Sequence, residues 1–177
     1  MSMTKKPYDF ARRETEAKNF RHFQQHFWLN PKQLRGCSLP TQLTWYRVPF
    51  RAKQLGTIIN RPGVYAFSVT QDGCGLPPHG YVLYVGQTGA KKKAPHRTLR
   101  QRAREYFREK KTGSRPHIAL FLRKWSKCLY FYYAQLDPAA VNLLDVEMKL
   151  NDALIPPYSV EDFSPKIRRL KRITEKQ

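Results

Sequence analysis

The stretch PGVYAFSVTQDGCGLPPHGYVLYVGQTG, residues 62–89, contains two short tyrosine-bearing segments separated by a loop rich in glycine and proline. Side chains alternate over 63–70 as they do in a strand, and 81–86 has a similar aromatic and β-branched composition. This arrangement predicts a long antiparallel hairpin. Because Tyr81 lies three residues from Tyr84, strand alternation places Tyr81 on the opposite face, as a packing residue.

The segments after the hairpin predict further helices and a strand. Apolar residues recur at helical spacing over 99–111 and 117–125, and the aromatic run at 128–135 is typical of a third strand. A last helix is expected over 138–154, with Asp137 as its N-cap and a proline in the first helical position. These strands and helices together predict an α+β protein.

The N-terminal part, to about residue 30, is predicted to be an amphipathic helix. Its aromatic residues recur at helical spacing: Phe20, Phe23, Phe27 and Trp28. We favour docking of these rings on the main body over insertion into DNA as a wedge. Residues 31–56 are expected to connect this extension to the hairpin, with a short helix near 49–55.

Charge is the strongest signal in the composition. The 177 residues include 33 Lys+Arg and 13 Asp+Glu, a formal net charge of +20. Such a field attracts polyanions, so nucleic acid is the expected partner and an anionic membrane surface the second choice. No apolar run is long enough to span a bilayer and residues 1–20 lack an apolar signal core, so we expect a cytoplasmic protein without membrane association. Three widely spaced cysteines predict neither a zinc site nor a disulfide.

One carboxylate lies at an unexpected position on the helix predicted over 138–154. On a helical wheel, Glu147 falls in the apolar sector between Leu143 and Leu150. A bare buried carboxylate is costly, so Glu147 must pair with a cation, bind a metal or face a cleft. Its position alone favours neither an ordinary pairing with an arginine nor a functional role.

The helix predicted over 99–111 carries a second group of functional side chains. Arg102 and Tyr106 are four residues apart and therefore share a face. An arginine can hold a phosphate through two parallel hydrogen bonds. In so basic a chain most arginines are solvated or touch only a nucleic-acid backbone, and we place four in that class: Arg97, Arg100, Arg104 and Arg108.

Phosphodiester hydrolysis requires a nucleophilic water, a base, a cation and a hard metal ion held by oxygen ligands. A tyrosine can act as the base only if its pKa falls well below about 10, which nearby positive charge can achieve. Glu147, Arg102 and the strand tyrosines beside a basic groove would supply every part of such a site.

These elements, in this order, resemble the GIY-YIG nuclease superfamily. Gly63-Val64-Tyr65 resembles the first half of the signature, and Tyr84-Val85-Gly86 resembles the second. Arg102 and Tyr106 match functional positions of the helix that follows the signature in that family, and Glu147 is similar to the family's metal-binding glutamate.

The resemblance extends over residues 57–160 and implies the fold. Near its end, Pro157-Tyr158-Ser159 is similar to a family segment that usually ends Pro-x-Tyr-Asn. The implied fold is α+β, a small three-stranded antiparallel sheet flanked by helices. The catalytic domain would span 57–163, after a helical N-terminal extension (1–56) and before a basic C-terminal tail (164–177).

The resemblance also implies a role for each site residue. Glu147 would hold Mg²⁺ or Mn²⁺, and Arg102 would contact the scissile phosphate. Tyr84 would activate or position the attacking water, and Tyr65 is the second choice for this role. Tyr106 would hydrogen-bond the phosphate or the metal-bound water. The two strands are expected to present their tyrosines on the sheet face where the helices of Arg102 and Glu147 meet. The implied activity is metal-dependent endonucleolytic hydrolysis of DNA.

Further DNA contacts are assigned to the basic loop after the hairpin and to the late serine: Lys91, Lys92, Lys93, His96, Arg97 and Ser159. The chain departs from the family at two positions. The family often has a lysine where this chain has Gln87, for which the loop lysines would substitute. Ser159 replaces the usual asparagine and has a shorter reach.

The subtype and the rival functions stay open in the sequence. The compact chain resembles restriction endonucleases, for which a homodimer would cut two strands symmetrically, and a phage or mobile-element nuclease is nearly as well supported. The alternative is a non-catalytic nucleic-acid-binding protein on the same scaffold. A structural protein of a ribonucleoprotein ranks last, because it gives no reason for a carboxylate among leucines.

Overall fold

The computed structural model describes residues 24–70, 80–89 and 97–174, together with four positions nearer the N-terminus: Thr15, Lys18, Arg21 and His22. The predicted DNA contacts of the basic loop lie outside the described residues: Lys91, Lys92, Lys93 and His96. In chain order the elements are α1 (Pro31–Arg35), β1 (Tyr46–Pro49), a short 3-10 helix (Ala52–Gln54), β2 (Gly63–Thr70), β3 (Gly80–Thr88), α2 (Leu99–Thr112), α3 (Pro116–Lys124), β4 (Leu129–Gln135), α4 (Leu143–Leu154) and α5 (Pro165–Thr174).

The sheet has four antiparallel strands in the order β1-β4-β2-β3. The α+β class is confirmed, but the expectation of three strands is wrong. The additional strand, β1, has only four residues, too few for alternation to be recognised, and it forms by pairing with β4. Its last residue, Pro49, is tolerated because β1 lies at the edge of the sheet.

A β-bulge lies in the hairpin between β2 and β3. Phe67 pairs with Tyr84, but the next residue along β2 pairs with Val82, so Leu83 is an extra residue in β3. After the bulge Tyr81 pairs with Val69, on the same face as Tyr84. The expectation that Tyr81 points to the opposite face is therefore wrong, because the extra residue reverses the alternation.

The two faces of the sheet are covered by different helices. One face packs on α2 and α3 in an aromatic core that includes Tyr65, Phe67 and Phe131. The other face packs on α4 through smaller residues, among them Val64 and Val85. The helices that carry Arg102 and Glu147 thus lie on opposite faces, and the expectation that they meet on the tyrosine face is wrong.

The predicted last helix of the domain begins five residues later than expected. Asp137 accepts a hydrogen bond from the amide of Ala139 (2.9 Å), but this interaction stabilises a turn. The N-cap is Asn142, whose side chain accepts from the amides of Leu144 (3.1 Å) and Asp145 (3.3 Å). Asn142 lies directly before the apolar run, which is why the helix starts there.

The segment 28–31 lies beside the helix α5. Residues 24–30 have no regular structure, so the predicted N-terminal helix does not extend through them. Docking of two of its aromatic residues is confirmed: Trp28 packs against a cluster formed with α5, and the Phe27 ring lies 4.9 Å from that of Tyr81. Phe20 and Phe23 lie outside the described residues. The basic tail forms the helix α5. Among the described helices, none combines the length and apolar composition that crossing a membrane requires.

Glu109 joins α2 to α3. Its carboxylate accepts hydrogen bonds from the Ser114 hydroxyl (2.7 Å) and from the Arg115 amide (2.5 Å) and Nε (3.3 Å). Burial alone would raise the pKa of Glu109, but these hydrogen bonds outweigh it, so the pKa lies below its ordinary value. The ionised carboxylate therefore stabilises the folded protein.

Glu109→Gln is expected to lower the free energy of unfolding by about 1 kcal/mol near pH 7, since the neutral amide keeps an oxygen acceptor but forms weaker hydrogen bonds with Ser114 and Arg115 than the carboxylate does. Because the folded pKa is lowered, this stabilisation is present above the ordinary pKa of 4.5 and is lost as the pH falls below it. Urea unfolding of both proteins near pH 7 and near pH 3 measures the difference. Glu161→Gln, at an exposed glutamate, is the control and should change nothing. A difference for Glu109→Gln that persists undiminished at the lower pH contradicts this account.

Candidate active site

A small polar pocket lies at the β3 edge of the sheet. Its volume is about 40 Å³, and nine residues line it: Tyr65, Tyr84, Gln87, Thr88, Gly89, Arg97, Arg102, Glu147 and Asp162. Four of the five predicted catalytic residues are in this set. The pocket therefore brings together side chains that the sequence separates by more than eighty residues.

Glu147 reaches the pocket because β3 is an edge strand. The helix α4 packs along β2 and β3 on the sheet face opposite the aromatic core. Glu147 is 6% exposed, beside the buried Val146 and Leu150. Among the described residues no strand lies beyond β3 to separate the two faces, so the carboxylate and the groups of the aromatic face line one pocket. The functional groups meet around the edge of the sheet and not on one face.

Tyr65, Tyr106 and Arg102 form a hydrogen-bonded network. The two phenol oxygens lie 2.9 Å apart. Arg102 donates from Nε to the Tyr65 hydroxyl (3.0 Å) and from Nη2 to the Tyr106 hydroxyl (3.1 Å). Its Nη1 donates to Glu105 (2.8 Å), which also pairs with Arg97 at 3.3 Å. These contacts hold the guanidinium in one orientation.

Local sequence explains how α2 presents Arg102. Thr98 and Gln101 form a reciprocal capping box at its start, and Gly113 ends it in the left-handed conformation. Leu99, Ala103 and Tyr106 form the buried stripe of the helix. Arg102 precedes Ala103 and is therefore placed at the border of this stripe, where its guanidinium reaches the pocket.

Gly86 makes room for the Tyr65 side chain. The two residues are partners across β2 and β3, so their side chains would lie on the same face. A Cβ atom at Gly86 would lie 2.3 Å from the Tyr65 hydroxyl oxygen. The phenol of Tyr65 therefore extends over the glycine towards the free edge of β3, where the pocket lies.

The surroundings of the tyrosines keep their hydroxyls protonated. Burial raises the pKa of Tyr65, Tyr106 raises it further, and Arg102 opposes both effects only in part. Burial likewise raises the pKa of Tyr84. Burial alone would lower the pKa of Arg102, because it disfavours the charged guanidinium. The interactions with Tyr65, Tyr106 and Glu105 outweigh burial, so the pKa lies above its ordinary value. The raised pKa of Tyr84 favours a role in which its hydroxyl orients a water over one in which it removes a proton from that water.

Asp162 is a pocket residue that the sequence analysis missed. It lies in the loop before α5, and its charge contributes to the raised pKa of Tyr84. The loop is anchored near its end by a hydrogen bond from the Ser164 amide to Asp152 Oδ1 (2.9 Å). No motif spacing marks Asp162. The chain has only 13 acidic residues, and Asp162 lies directly before a strongly basic segment. That position is the one sequence signal that could have marked Asp162 for attention.

The other predicted site residues have structural contacts. Ser159 is fully buried, and its hydroxyl accepts a hydrogen bond from the Val85 amide (3.3 Å), so it supports β3 and offers no surface to DNA. Tyr106 is also fully buried and does not line the pocket, and its hydroxyl contacts the pocket residues Tyr65 and Arg102. Arg97 lies at the rim of the pocket.

No protein-family model, curated protein or solved structure matches the chain. The chemistry of the pocket therefore carries the functional assignment.

Proposed function

We propose that this protein is a divalent-metal-dependent DNA endonuclease with a GIY-YIG-type site. The supporting observation is the convergence of a buried carboxylate (Glu147), an oriented guanidinium (Arg102) and two phenols (Tyr65 and Tyr84) in one polar pocket. The net charge of +20 favours a polyanionic substrate. A carboxylate that can hold a metal ion and a cation that can hold a phosphate are two of the parts that phosphodiester hydrolysis requires, and the neutral phenols can orient a water by hydrogen bonding.

The oxygen atoms lining the pocket fit Mg²⁺ or Mn²⁺. Within the described part of the chain no group of three or more His, Cys, Asp or Glu is placed to hold a metal. Mg²⁺, however, commonly binds through one or two carboxylates and keeps several waters. Glu147 and Asp162 supply two carboxylates, and the ion would supply a Lewis acid that neutralises charge developing on the phosphate.

Arg102 is the proposed phosphate-binding residue. A guanidinium has five N–H groups, and three of those of Arg102 donate to Tyr65, Tyr106 and Glu105. The remaining two make no hydrogen bond with any residue that the structure describes, so they can donate to phosphate oxygens. Tyr84, kept neutral by its surroundings, donates a hydrogen bond to the attacking water or to the phosphate.

Arg102→Lys is expected to reduce the cleavage rate by about 10- to 100-fold while DNA affinity changes little. Lysine keeps the positive charge but lacks the planar fork that binds two phenols, a carboxylate and a phosphate together. Single-turnover cleavage of plasmid DNA measures the effect. Arg104→Lys, at an exposed position of the same helix, is the matched control. Equal rates for the two variants contradict the assigned role.

The proposed function is tested by incubating the purified protein with plasmid DNA in Mg²⁺, in Mn²⁺ and in EDTA. Cleavage only with metal supports it. Sequencing of the product ends then distinguishes a restriction-type enzyme, which leaves fixed ends, from a nonspecific or structure-directed nuclease. Size-exclusion chromatography with light scattering tests the homodimer that symmetric cutting would need.

Gln87, which lies in the pocket where GIY-YIG nucleases often have lysine, favours a second candidate function. In that case the protein binds nucleic acid without cutting it. The distinguishing result is metal-independent binding with no cleavage of linear, supercoiled or branched DNA.

A further inference from the structure

The basic residues fall into two groups by their contacts. Several are engaged within the protein: Arg100, Arg123 and Lys171 donate to the backbone carbonyls of residues 58, 110 and 159 at 2.6, 2.7 and 2.6 Å. Three cations of α5 behave differently. Lys166, Arg169 and Arg172 are exposed, and none makes a hydrogen bond or ion pair with another residue that the structure describes. Their charges are therefore available to a partner.

The three cations form a stripe along the solvent side of α5. They are spaced three residues apart, while Ile167 and Lys171 bury the opposite side. With a rise of about 1.5 Å per residue, the stripe is about 9 Å long. Phosphates recur about every 3.4 Å along the axis for one strand of duplex DNA. Successive phosphates lie further apart than this rise because each strand also winds around the axis, so the stripe spans about two phosphates of one strand and its flexible side chains can reach a third.

Two sets of contacts fix α5 to the pocket. Lys171 donates to the Ser159 carbonyl (2.6 Å), and the Ser159 hydroxyl accepts from the Val85 amide, between Tyr84 and Gly86 in β3. Arg168 donates to the carbonyls of the residues on either side of Asp162, Glu161 and Phe163. A strand held on α5 would therefore keep a constant distance from the pocket.

We propose that the exposed stripe of α5, formed by Lys166, Arg169 and Arg172, binds the phosphate backbone of duplex DNA and holds it beside the pocket. This inference depends on the proposed function for the identity of the polyanion. Two partly exposed apolar residues, Leu170 and Ile173, lie next to the stripe. They make an anionic membrane surface the rival occupant.

The test compares two triple variants of equal charge. One changes Lys166, Arg169 and Arg172 to Gln, which keeps the apolar part of each side chain. The control changes Arg51, Lys53 and Lys127 to Gln, three exposed cations elsewhere. Each variant has a net charge of 20 − 3, or +17. A difference in DNA affinity between the two variants therefore arises from local contacts and not from the overall charge. Circular dichroism verifies that both are folded.

Binding to a fluorescent duplex of about 20 base pairs is measured by anisotropy in EDTA, over roughly 50–200 mM salt. In a plot of log affinity against log salt concentration, each phosphate contact contributes about 0.9 to the magnitude of the slope. The slope of the α5 variant is therefore expected to be smaller in magnitude by about 2 to 3, and its affinity at least about tenfold weaker. The control should lose less than about 1 from the slope. Equal losses in both variants overturn the proposal.

Three further outcomes separate the hypotheses. If the α5 variant loses binding to phosphatidylserine vesicles but not to DNA, the proposal is overturned in favour of a membrane surface. If the wild-type protein binds no DNA, both this proposal and the proposed function fail. If it binds DNA through α5 but cuts none with any metal, the proposed function fails and the phosphate-binding surface stands.

Discussion

Replacing Glu147 with glutamine is expected to reduce metal-dependent DNA cleavage by about a thousandfold or more. Glutamine has nearly the same shape but no charge, and a divalent cation is bound mainly by carboxylate oxygens. Glu147 lines the pocket with Asp162, so the substitution removes one of the two carboxylates that would hold the ion. Single-turnover plasmid cleavage over a range of Mg²⁺ and Mn²⁺ concentrations measures the loss. DNA affinity should remain close to that of the wild-type protein, since the basic surfaces are unchanged.

Asp145→Asn is the matched control for Glu147→Gln. It makes the same carboxylate-to-amide change on the same helix, but Asp145 pairs with Lys149 at 2.9 Å on the outer side of α4. Cleavage by this variant should stay within about twofold of wild type, because an exposed ion pair contributes little. If Glu147→Gln cuts DNA as fast as the control, Glu147 does not hold the metal and the proposed mechanism is wrong.

Gly86→Ala is expected to lower the free energy of unfolding by about 1–3 kcal/mol and cleavage by about a hundredfold. The added Cβ would lie 2.3 Å from the Tyr65 hydroxyl oxygen and 2.5 Å from Cζ. Tyr65 is 1% exposed, its ring stacks on Phe131 at 5.3 Å between centroids, and its hydroxyl accepts from Arg102. These contacts hold the ring in place, so either β3 separates from β2 or the ring shifts and its hydroxyl leaves the guanidinium.

Thermal unfolding and single-turnover cleavage together test the Gly86 prediction. Gly56→Ala is the control, because no atom lies within 4 Å of the Cβ it would add. It should leave both measurements unchanged within a few tenths of a kcal/mol. Wild-type stability and cleavage in Gly86→Ala would contradict the close packing of Tyr65 over β3.

Elements with local start and stop signals could be predicted closely from the sequence. The helix expected over 99–111 is Leu99–Thr112, since the residues that cap it, Thr98 and Gly113, directly flank it in the sequence. The strand expected over 128–135 is Leu129–Gln135. The burial of Glu147 also follows from helical periodicity, which depends only on neighbouring residues.

Features that depend on distant partners could not be predicted in the same way. The strand β1 is only four residues long and forms because β4 offers hydrogen-bonding groups along its edge. The bulge at Leu83 changes the sheet face on which Tyr81 lies, and the local alternation of residues does not indicate this bulge. Ser159 matched a motif position, but its burial under α5 depends on Lys171 and Val85.

The sequence by itself determined which side chains are available for chemistry: tyrosines on two strands, Arg102 at the border of a helix stripe, and a buried Glu147. Periodicity and capping are local properties, so short segments suffice to establish them. Only the tertiary structure decided that these groups meet around the edge of β3, with Asp162 among them. That meeting depends on the strand order, on the missing side chain at Gly86, and on contacts between segments far apart in the chain.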